Sequence, residues 1–194
     1  TDINLDFHQV KARKDKIVKK LAMGTDFLMK KNRVETFRGK GTITAPGTVQ
    51  VEGEVVSEIR AKSILIATGS EAKLLPGLEL DGQCLLTNKE ILDLDAIPKS
   101  LLVVGAGAVG LEFASIFSRF GTDVTVVEML PRILPLEDHE ISEELKKLLT
   151  KRKIKIFTEA RLENISVLDG KVHATVTLST GETNEIAADK ALIA

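Results

Sequence analysis

Three glycines in the second half of the chain are spaced as in loops that bind phosphate groups. Gly105, Gly107 and Gly110 form the pattern G-x-G-x-x-G, which follows the apolar run of residues 101–104 and precedes a segment of helical period. In that context the first glycine permits a tight turn, the second lets a diphosphate approach the backbone, and the third allows close packing of helix on strand. The helix N-terminus attracts the diphosphate through its free amides and its dipole. The pattern predicts a dinucleotide-binding loop.

A carboxylate at the end of the following strand indicates which dinucleotide this loop would bind. Glu128 closes residues 123–128, an apolar segment of strand character. At that place an acidic side chain accepts hydrogen bonds from the adenosine ribose diol, whereas the 2′-phosphate of NADP would meet like charge. The sequence therefore favours NAD over NADP. Two alternatives stay open: Arg132 could take a phosphate, and the glycines could serve only a tight turn.

The composition limits the other chemistry that the chain could carry. Its 194 residues include 27 Lys plus Arg and 28 Asp plus Glu, for a formal net charge of -1, and this balance gives no indication of nucleic-acid binding. Cys84 is the single cysteine, so it cannot form a disulfide or a two-cysteine redox pair within the chain and is expected to be a buried or incidental thiol. His8, His139 and His173 are expected at the surface. No metal site is predicted, and no apolar run has the length of a membrane-spanning helix.

The apolar periodicity of residues 71–194 repeats a strand-helix rhythm that would position the loop. Three strands separated by two helices imply a parallel sheet with right-handed crossovers. The strands are predicted at residues 101–104, 123–128 and 154–157, and the helices at residues 109–120 and around Ile141, Leu145, Leu148 and Leu149. An antiparallel hairpin follows, with arms at residues 162–167 and 172–178 and a turn at Asp169-Gly170. The last strand is predicted at residues 189–194.

Residues 1–70 have a different pattern, a basic helix followed by short strands. Asp6 and Gln9 predict a capping box at the start of a helix. The helix carries a narrow apolar stripe that should pack by one face, formed by Val10, Ile17, Leu21 and Leu28. Its lysines are expected to form a solvated face. A β-meander is predicted over residues 34–37, 42–44, 48–51 and 55–60. Residues 63–67 are predicted to form a strand buried on both faces. Residues 71–77, with Pro76-Gly77, are predicted to be a linker between two domains.

Two motifs in combination resemble those of the flavoprotein disulfide reductases that bind two dinucleotides. They are the run from Ile64 to Ser70, and the run from Gly105 to Glu112 followed by Val126-Val127-Glu128. Within that family of pyridine nucleotide-disulfide oxidoreductases, the dihydrolipoamide dehydrogenases are the most similar members. The resemblance implies an α/β fold, with residues 1–70 as the C-terminal part of the first segment of an FAD-binding domain. It implies a Rossmann-like, three-layer NAD-binding domain over residues 71–194, truncated at its last strand, in an internal fragment of a longer protein.

The resemblance also assigns cofactor contacts to positions of this sequence. The FAD contacts would be Gly41, Thr68, Gly69 and Ser70. The NAD contacts would be Gly105, Ala106, Gly107, Ala108, Val109, Gly110, Leu111, Glu112, Glu128 and Leu162. For Val109 and Leu162, packing alone is an alternative interpretation. A carboxylate at Glu112 is also explained by the helix dipole.

For the whole enzyme, the resemblance implies reoxidation of protein-bound dihydrolipoyl groups through a cysteine pair and FAD, with hydride passed to NAD. The redox cysteines and the catalytic histidine would lie outside this chain, so the segment alone is expected to contain no catalytic residue and to be inactive. The resemblance further implies a homodimer in the bacterial cytoplasm or the mitochondrial matrix. Its partners would be lipoyl domains of 2-oxo acid dehydrogenase complexes or of the glycine cleavage system, with no nucleic acid and no membrane. The alternatives are another disulfide reductase, of mercuric or glutathione type, and a non-catalytic NAD-binding module.

Overall fold

The computed structural model describes residues 5–53, 57–74 and 77–194. The chain divides into two compact units, Ala12–Ser70 and a larger one made of Thr1–Lys11 with Glu71–Ala194. The assignment of these parts to FAD-binding and NAD-binding domains stays a prediction. Of the helices in the described ranges, none combines the length and apolar character that a bilayer span requires.

The first elements of the chain are one long helix and an antiparallel meander. Helix α1 (Phe7–Lys31) begins after Asp6, whose carboxylate accepts a hydrogen bond of 3.1 Å from the amide of Gln9, so the predicted helix start is confirmed. Strands β1 (Gly39–Ala45), β2 (Thr48–Gly53) and β3 (Ser57–Arg60) pair antiparallel in that order. The strand predicted at residues 34–37 is wrong. Val34 instead donates to the carbonyl of Met29 over 2.9 Å and closes the C-terminus of α1.

Two further expectations for this part of the chain are wrong. The apolar stripe of α1 does not pack, because no residue of this helix is buried. Residues 63–67 form no strand, and Leu65 and Ile66 are 91% and 70% exposed. A strand exists only where a neighbour completes its hydrogen-bond ladder, and none of the described strands pairs with this segment. Val55 and Pro76, which belong to a predicted strand and to the predicted linker, lie outside the described residues.

A parallel sheet forms the centre of the larger unit, and helices connect its strands. In chain order the elements are β4 (Leu85–Leu86), a 3-10 turn (Glu90–Asp93), β5 (Ser100–Val104), α2 (Ala108–Arg119), β6 (Asp123–Val127), α3 (His139–Lys151) and β7 (Lys155–Phe157). An antiparallel excursion follows, and the chain then returns to the parallel sheet: β8 (Ala160–Leu168), β9 (Lys171–Leu178), β10 (Thr183–Ala188) and β11 (Lys190–Ile193). The strand-helix rhythm, the hairpin and the last strand are therefore confirmed, whereas β4 and β10 were not predicted.

The larger unit has three layers, as the predicted α/β fold requires. The parallel strands lie in the order β4-β11-β5-β6-β7, and the antiparallel sheet has the order β10-β9-β8. One hydrophobic core joins α2 and α3 to one face of the parallel sheet, and a second core joins the antiparallel sheet to its other face. Leu102 and Val103, adjacent in β5, are both completely buried, one in each core. This explains why β5 is apolar at every interior position.

The order in which the chain adds strands to the parallel sheet reverses beside β5, and this reversal determines where a ligand can bind. From β5 the chain moves outward through β6 to β7, and it then returns to place β11 on the other side of β5. The strand order therefore reverses between β5 and β11, and the crevice outside the carboxyl ends of these two strands lies at this switch in topology. In open α/β sheets, ligands bind in such a crevice.

Asp81 holds the turn that leads into β4. Its Oδ1 atom accepts three backbone hydrogen bonds, of 2.9 Å from Gln83 and 2.8 Å from each of Cys84 and Leu85. Burial alone would raise the pKa of this carboxyl group, but the three amide donors outweigh burial and hold the pKa below its ordinary value of 3.8. The carboxylate form is therefore the one that the folded chain stabilises.

We predict that Asp81→Ala lowers the free energy of unfolding at pH 7 by about 1 kcal/mol, as for the loss of a helix cap. Because the folded-state pKa of Asp81 is lowered, its contribution is complete above the ordinary pKa and is lost as the pH falls through the folded-state pKa. Urea unfolding at pH 7 and at acid pH should show the difference between variant and wild type shrinking with acid. Glu79→Ala removes the same charge from an exposed neighbour and should have little effect. A difference that is independent of pH would contradict the assignment.

Candidate functional site

Two of the three glycines in the loop between β5 and α2 are required by close backbone contacts. Gly105 has φ +107°, a conformation that side chains rarely adopt, and a Cβ there would overlap the carbonyl oxygen of Ala194. A Cβ on Gly110 would overlap the carbonyl oxygen of Gly105 and lie 3.1 Å from a methyl group of Val103. The tight turn and the close helix packing that the sequence predicts are thus both present.

Gly107 has a different role, because the space around it is open. It precedes the first residue of α2 and offers no side chain to cap the helix, and a Cβ placed on it would meet nothing within 4 Å. The first amides of a helix have no intrahelical acceptor. The N-terminus of α2 therefore presents amide donors and a partial positive charge at an exposed surface, which is the arrangement that binds a phosphate group.

Glu128 is a buried carboxylate that is bound to the backbone of the site. Its side chain follows β6, the residue is 9% exposed, and its two oxygens accept hydrogen bonds of 2.7 Å from the amide of Ala106 and 2.8 Å from that of Leu130. Each carboxylate oxygen has a second lone pair, so both can accept another donor, such as a ribose hydroxyl group. The link between Glu128 and the glycine loop was not predicted from the sequence. Contact with ribose stays a prediction.

Arg132, the alternative phosphate ligand, belongs to the connection between β6 and α3. Its guanidinium group donates to the carbonyl oxygen of Pro135 over 2.9 Å, and the residue is partly buried. One face of the guanidinium group is therefore committed to its own loop. The remaining N–H donors of the guanidinium group can still bind a phosphate, so Arg132 stays an alternative phosphate ligand.

Two alanines at strand ends form backbone hydrogen bonds with residues next to or within the site, and neither was predicted from the sequence. The amide of Ala194, directly after β11, donates to the carbonyl of Val104 over 2.9 Å, which places Ala194 beside the glycine loop. The amide of Ala160 donates to the carbonyl of Glu128 over 2.9 Å, and Ala160 is 1% exposed. The rule that ligands bind at the carboxyl ends of the strands could have identified Ala194. No residue type marks either alanine.

The other residues predicted to contact NAD fall into three groups. Ala108, Val109 and Glu112 have exposed side chains at the start of α2, and Val109 is 44% exposed. Ala106 and Leu111 are buried in the helix-side core, so they would offer only backbone atoms to a ligand. Leu162 is part of β8 and packs against the core between the two sheets, and this position supports the packing interpretation.

The residues predicted to contact FAD lie in the smaller unit. Gly41 is an exposed residue of β1. The remaining three, Thr68, Gly69 and Ser70, are exposed residues outside any strand, and Gly69 has φ +81°. No finding tests their contact with FAD, which stays a prediction.

Cys84 and the three histidines belong to no metal-binding cluster among the described residues. Cys84 is buried, and its Sγ atom lies 3.4 Å from the carbonyl oxygen of Gly170. The three histidines are exposed, as the sequence predicts: His8, His139 and His173. Across residues 5–53, 57–74 and 77–194, no group of three or more His, Cys, Asp or Glu side chains could hold a metal ion.

Comparisons with known proteins identify the family of this chain. The family model described as pyridine nucleotide-disulphide oxidoreductase matches residues 3–194. The dihydrolipoyl dehydrogenase of Bacillus subtilis is 40% identical over 196 residues, which are 91% of this chain and 41% of the relative. The dihydrolipoamide dehydrogenase of Chaetomium thermophilum is 41% identical over 197 residues, which are 100% of this chain and 39% of the relative. The chain thus spans about two-fifths of the length of these relatives.

Solved structures of two other proteins share the fold of this chain. LpdA from Mycobacterium tuberculosis has a TM-score of 0.85 and 28% identity, over 98% of this chain and 42% of that one. RclA, an HOCl-induced flavoprotein disulfide reductase from Escherichia coli, has a TM-score of 0.77 and 27% identity, over 98% of this chain and 42% of that one. This chain belongs to the pyridine nucleotide-disulphide oxidoreductase family.

Proposed function

We propose that this chain binds NAD at the glycine loop and is the nucleotide-binding part of an enzyme that oxidises dihydrolipoyl groups. The observation that carries the proposal is the juxtaposition of exposed helix amides after Gly107 with the buried carboxylate of Glu128. One feature suits a diphosphate and the other a ribose diol. Relatives named dihydrolipoyl dehydrogenase support the assignment to this reaction.

The binding chemistry follows from charge. The diphosphate lies against the N-terminus of α2, where amide donors and the helix dipole stabilise negative charge. Glu128 then accepts the ribose hydroxyl groups through the lone pairs that the amides of Ala106 and Leu130 leave free. A 2′-phosphate would bring a second negative charge against a carboxylate that forms no ion pair among the described residues. NAD is therefore the preferred coenzyme.

The FAD contacts belong to the proposal as well. Gly41 carries no side chain, and a Cβ there would meet only a methyl group of Val49, at 3.6 Å, so the backbone of β1 is open to a flat ligand. Thr68, Gly69 and Ser70 would offer hydroxyl groups and amides to the same cofactor. FAD, when bound, would accept the electrons of the dithiol and return them as hydride to NAD.

The whole enzyme, by this proposal, converts a dihydrolipoyl dithiol into the disulfide and NAD⁺ into NADH with release of a proton. A redox cysteine pair and a catalytic histidine elsewhere in the protein carry the first half of that reaction, because Cys84 has no second cysteine within the chain. Homodimerisation, lipoyl domains as partners, and a location in the bacterial cytoplasm or mitochondrial matrix complete the proposal.

Titration of the 194-residue chain with NADH and with NADPH, followed by nicotinamide fluorescence, tests the coenzyme assignment. NADH should bind more tightly, because only the 2′-phosphate of NADPH places like charge beside Glu128. Equal affinities, or a preference for NADPH, would overturn the assignment and would favour the disulfide reductases that use NADP.

We expect Glu128→Ala to weaken NADH binding by about 1 to 3 kcal/mol, the usual range for a charge-assisted hydrogen bond together with its buried partners. The same fluorescence titration measures the loss. Glu182→Ala removes an equal charge from an exposed turn and serves as the control, with unchanged affinity expected. If the two variants bind NADH equally well, Glu128 does not contact the ribose.

Gly107→Ala and Gly110→Ala form a matched pair that separates binding from folding. At Gly107 a methyl group enters open space, so the thermal unfolding temperature should stay near that of the wild type while NADH affinity falls. At Gly110 the methyl group overlaps backbone, and we expect the chain to lose about 1 to 3 kcal/mol of stability. Thermal unfolding and NADH titration of both variants provide the test. Unchanged NADH affinity in Gly107→Ala would place the diphosphate elsewhere.

A further inference from the structure

We infer that Ser142, which lies on α3 and outside the glycine loop, is a positioning residue for the amides that bind the diphosphate. The inference rests on the proposed NAD binding and adds to it a residue that keeps the site in shape. Its basis is a series of hydrogen bonds that leads from α3 through the β6–α3 loop (residues 128–138) to Ala106.

The peptide groups on both sides of Ala106 are held in place. Its N–H donates to Glu128 over 2.7 Å, and its carbonyl accepts the N–H of Leu134 over 2.9 Å. The carbonyl of Ala106 and the N–H of Gly107 belong to one planar, trans peptide group and point in opposite directions. A carbonyl held toward Leu134 therefore fixes the direction of the Gly107 amide, which lies in the exposed part of the loop.

Leu134 supplies this hydrogen bond from a backbone conformation that needs support. Its φ of +43° is in the left-handed region, which a leucine occupies only at a cost. Its carbonyl accepts two hydrogen bonds, of 3.0 Å from the amide of Glu137 and 3.2 Å from the hydroxyl group of Ser142. The preceding residue, Ile133, is completely buried in the helix-side core. Together these contacts keep the N–H of Leu134 hydrogen-bonded to the carbonyl oxygen of Ala106.

Ser142 contributes a hydrogen-bond donor at a buried helix position where helix propensity would favour alanine. Its side chain has 0% exposure, and alanine has a higher helix propensity than serine at an interior position. The amide of Ser142 bonds to Asp138 whatever the side chain is. The specific contribution of serine is therefore the hydroxyl group, which ties α3 to the carbonyl of Leu134.

Ser142→Ala in the 194-residue chain, compared with wild type, tests the inference by titration with NADH and by displacement with adenosine. We expect the dissociation constant for NADH to rise about fivefold, a loss on the scale of one hydrogen bond. The constant for adenosine, which has base and ribose but no phosphate, should not change. Thr150→Ala is the control, because its hydroxyl group bonds only within α3, to the carbonyl of Lys146 over 2.8 Å. In Thr150→Ala the dissociation constants for NADH and for adenosine should both stay at wild-type values.

Hydrogen exchange in the ligand-free chain gives a second measurement. The amide of Leu134 should exchange faster in Ser142→Ala and at the wild-type rate in Thr150→Ala. If Ser142→Ala does not fold, Ser142→Cys replaces it, since a thiol of similar size is a weaker donor and should raise the constant for NADH to a smaller extent.

The outcomes separate this inference from the proposed function. A wild-type chain that binds NADH together with a Ser142→Ala variant of equal affinity would overturn the positioning role and leave NAD binding intact. An equal loss of NADH and adenosine affinity would also overturn it, because the effect would not be specific to the diphosphate. A wild-type chain that does not bind NADH would overturn the proposed function and the inference with it.

Discussion

The contact between the start of α2 and the end of β5 is the constraint on which the rest of the site depends. At Gly110 the helix approaches the carbonyl of Gly105 so closely that a methyl group would overlap it. Because the helix can come this close, its N-terminal amides lie beside the carboxyl ends of β5 and β11, where the strand order reverses. A larger residue would move the helix away from the sheet and displace both the dipole and the amides. Close packing and the proposed anion binding therefore both depend on one missing side chain.

Glu128 links the shape of the loop to the proposed choice of coenzyme. A carboxylate that is 9% exposed must have hydrogen-bond donors, and the amides of Ala106 and Leu130 supply them. The group proposed to read the ribose is therefore also part of the scaffold that holds the glycine loop. A substitution at this residue would change the loop as well as the proposed contact with ribose, so the proposed coenzyme preference and the loop geometry cannot be altered independently at Glu128.

The elements that were predicted correctly are those whose pattern is complete within a few residues. The run from β5 to β7 carries its own apolar period, glycines and turns, so local chemistry was enough to identify it. Two failures have a common physical cause. Residues 63–67 are as apolar as β5, yet no described strand pairs with them, whereas the two residues of β4 become a strand only because β11 pairs with them. A ladder is a property of two segments, and a sequence pattern describes one.

The amino-acid sequence by itself determined the succession from β5 through α2, β6 and α3 to β7, the glycine loop and the acidic residue that follows β6. Each of these depends on contacts between residues close together in the chain. Only the tertiary structure decided that β11 lies next to β5, that Ala194 lies beside the glycine loop, and that Glu128 and Leu134 hold Ala106 from both sides. These contacts join residues that are far apart in sequence, and backbone groups make most of them. Every residue type carries the same backbone groups, so the sequence does not mark where they meet.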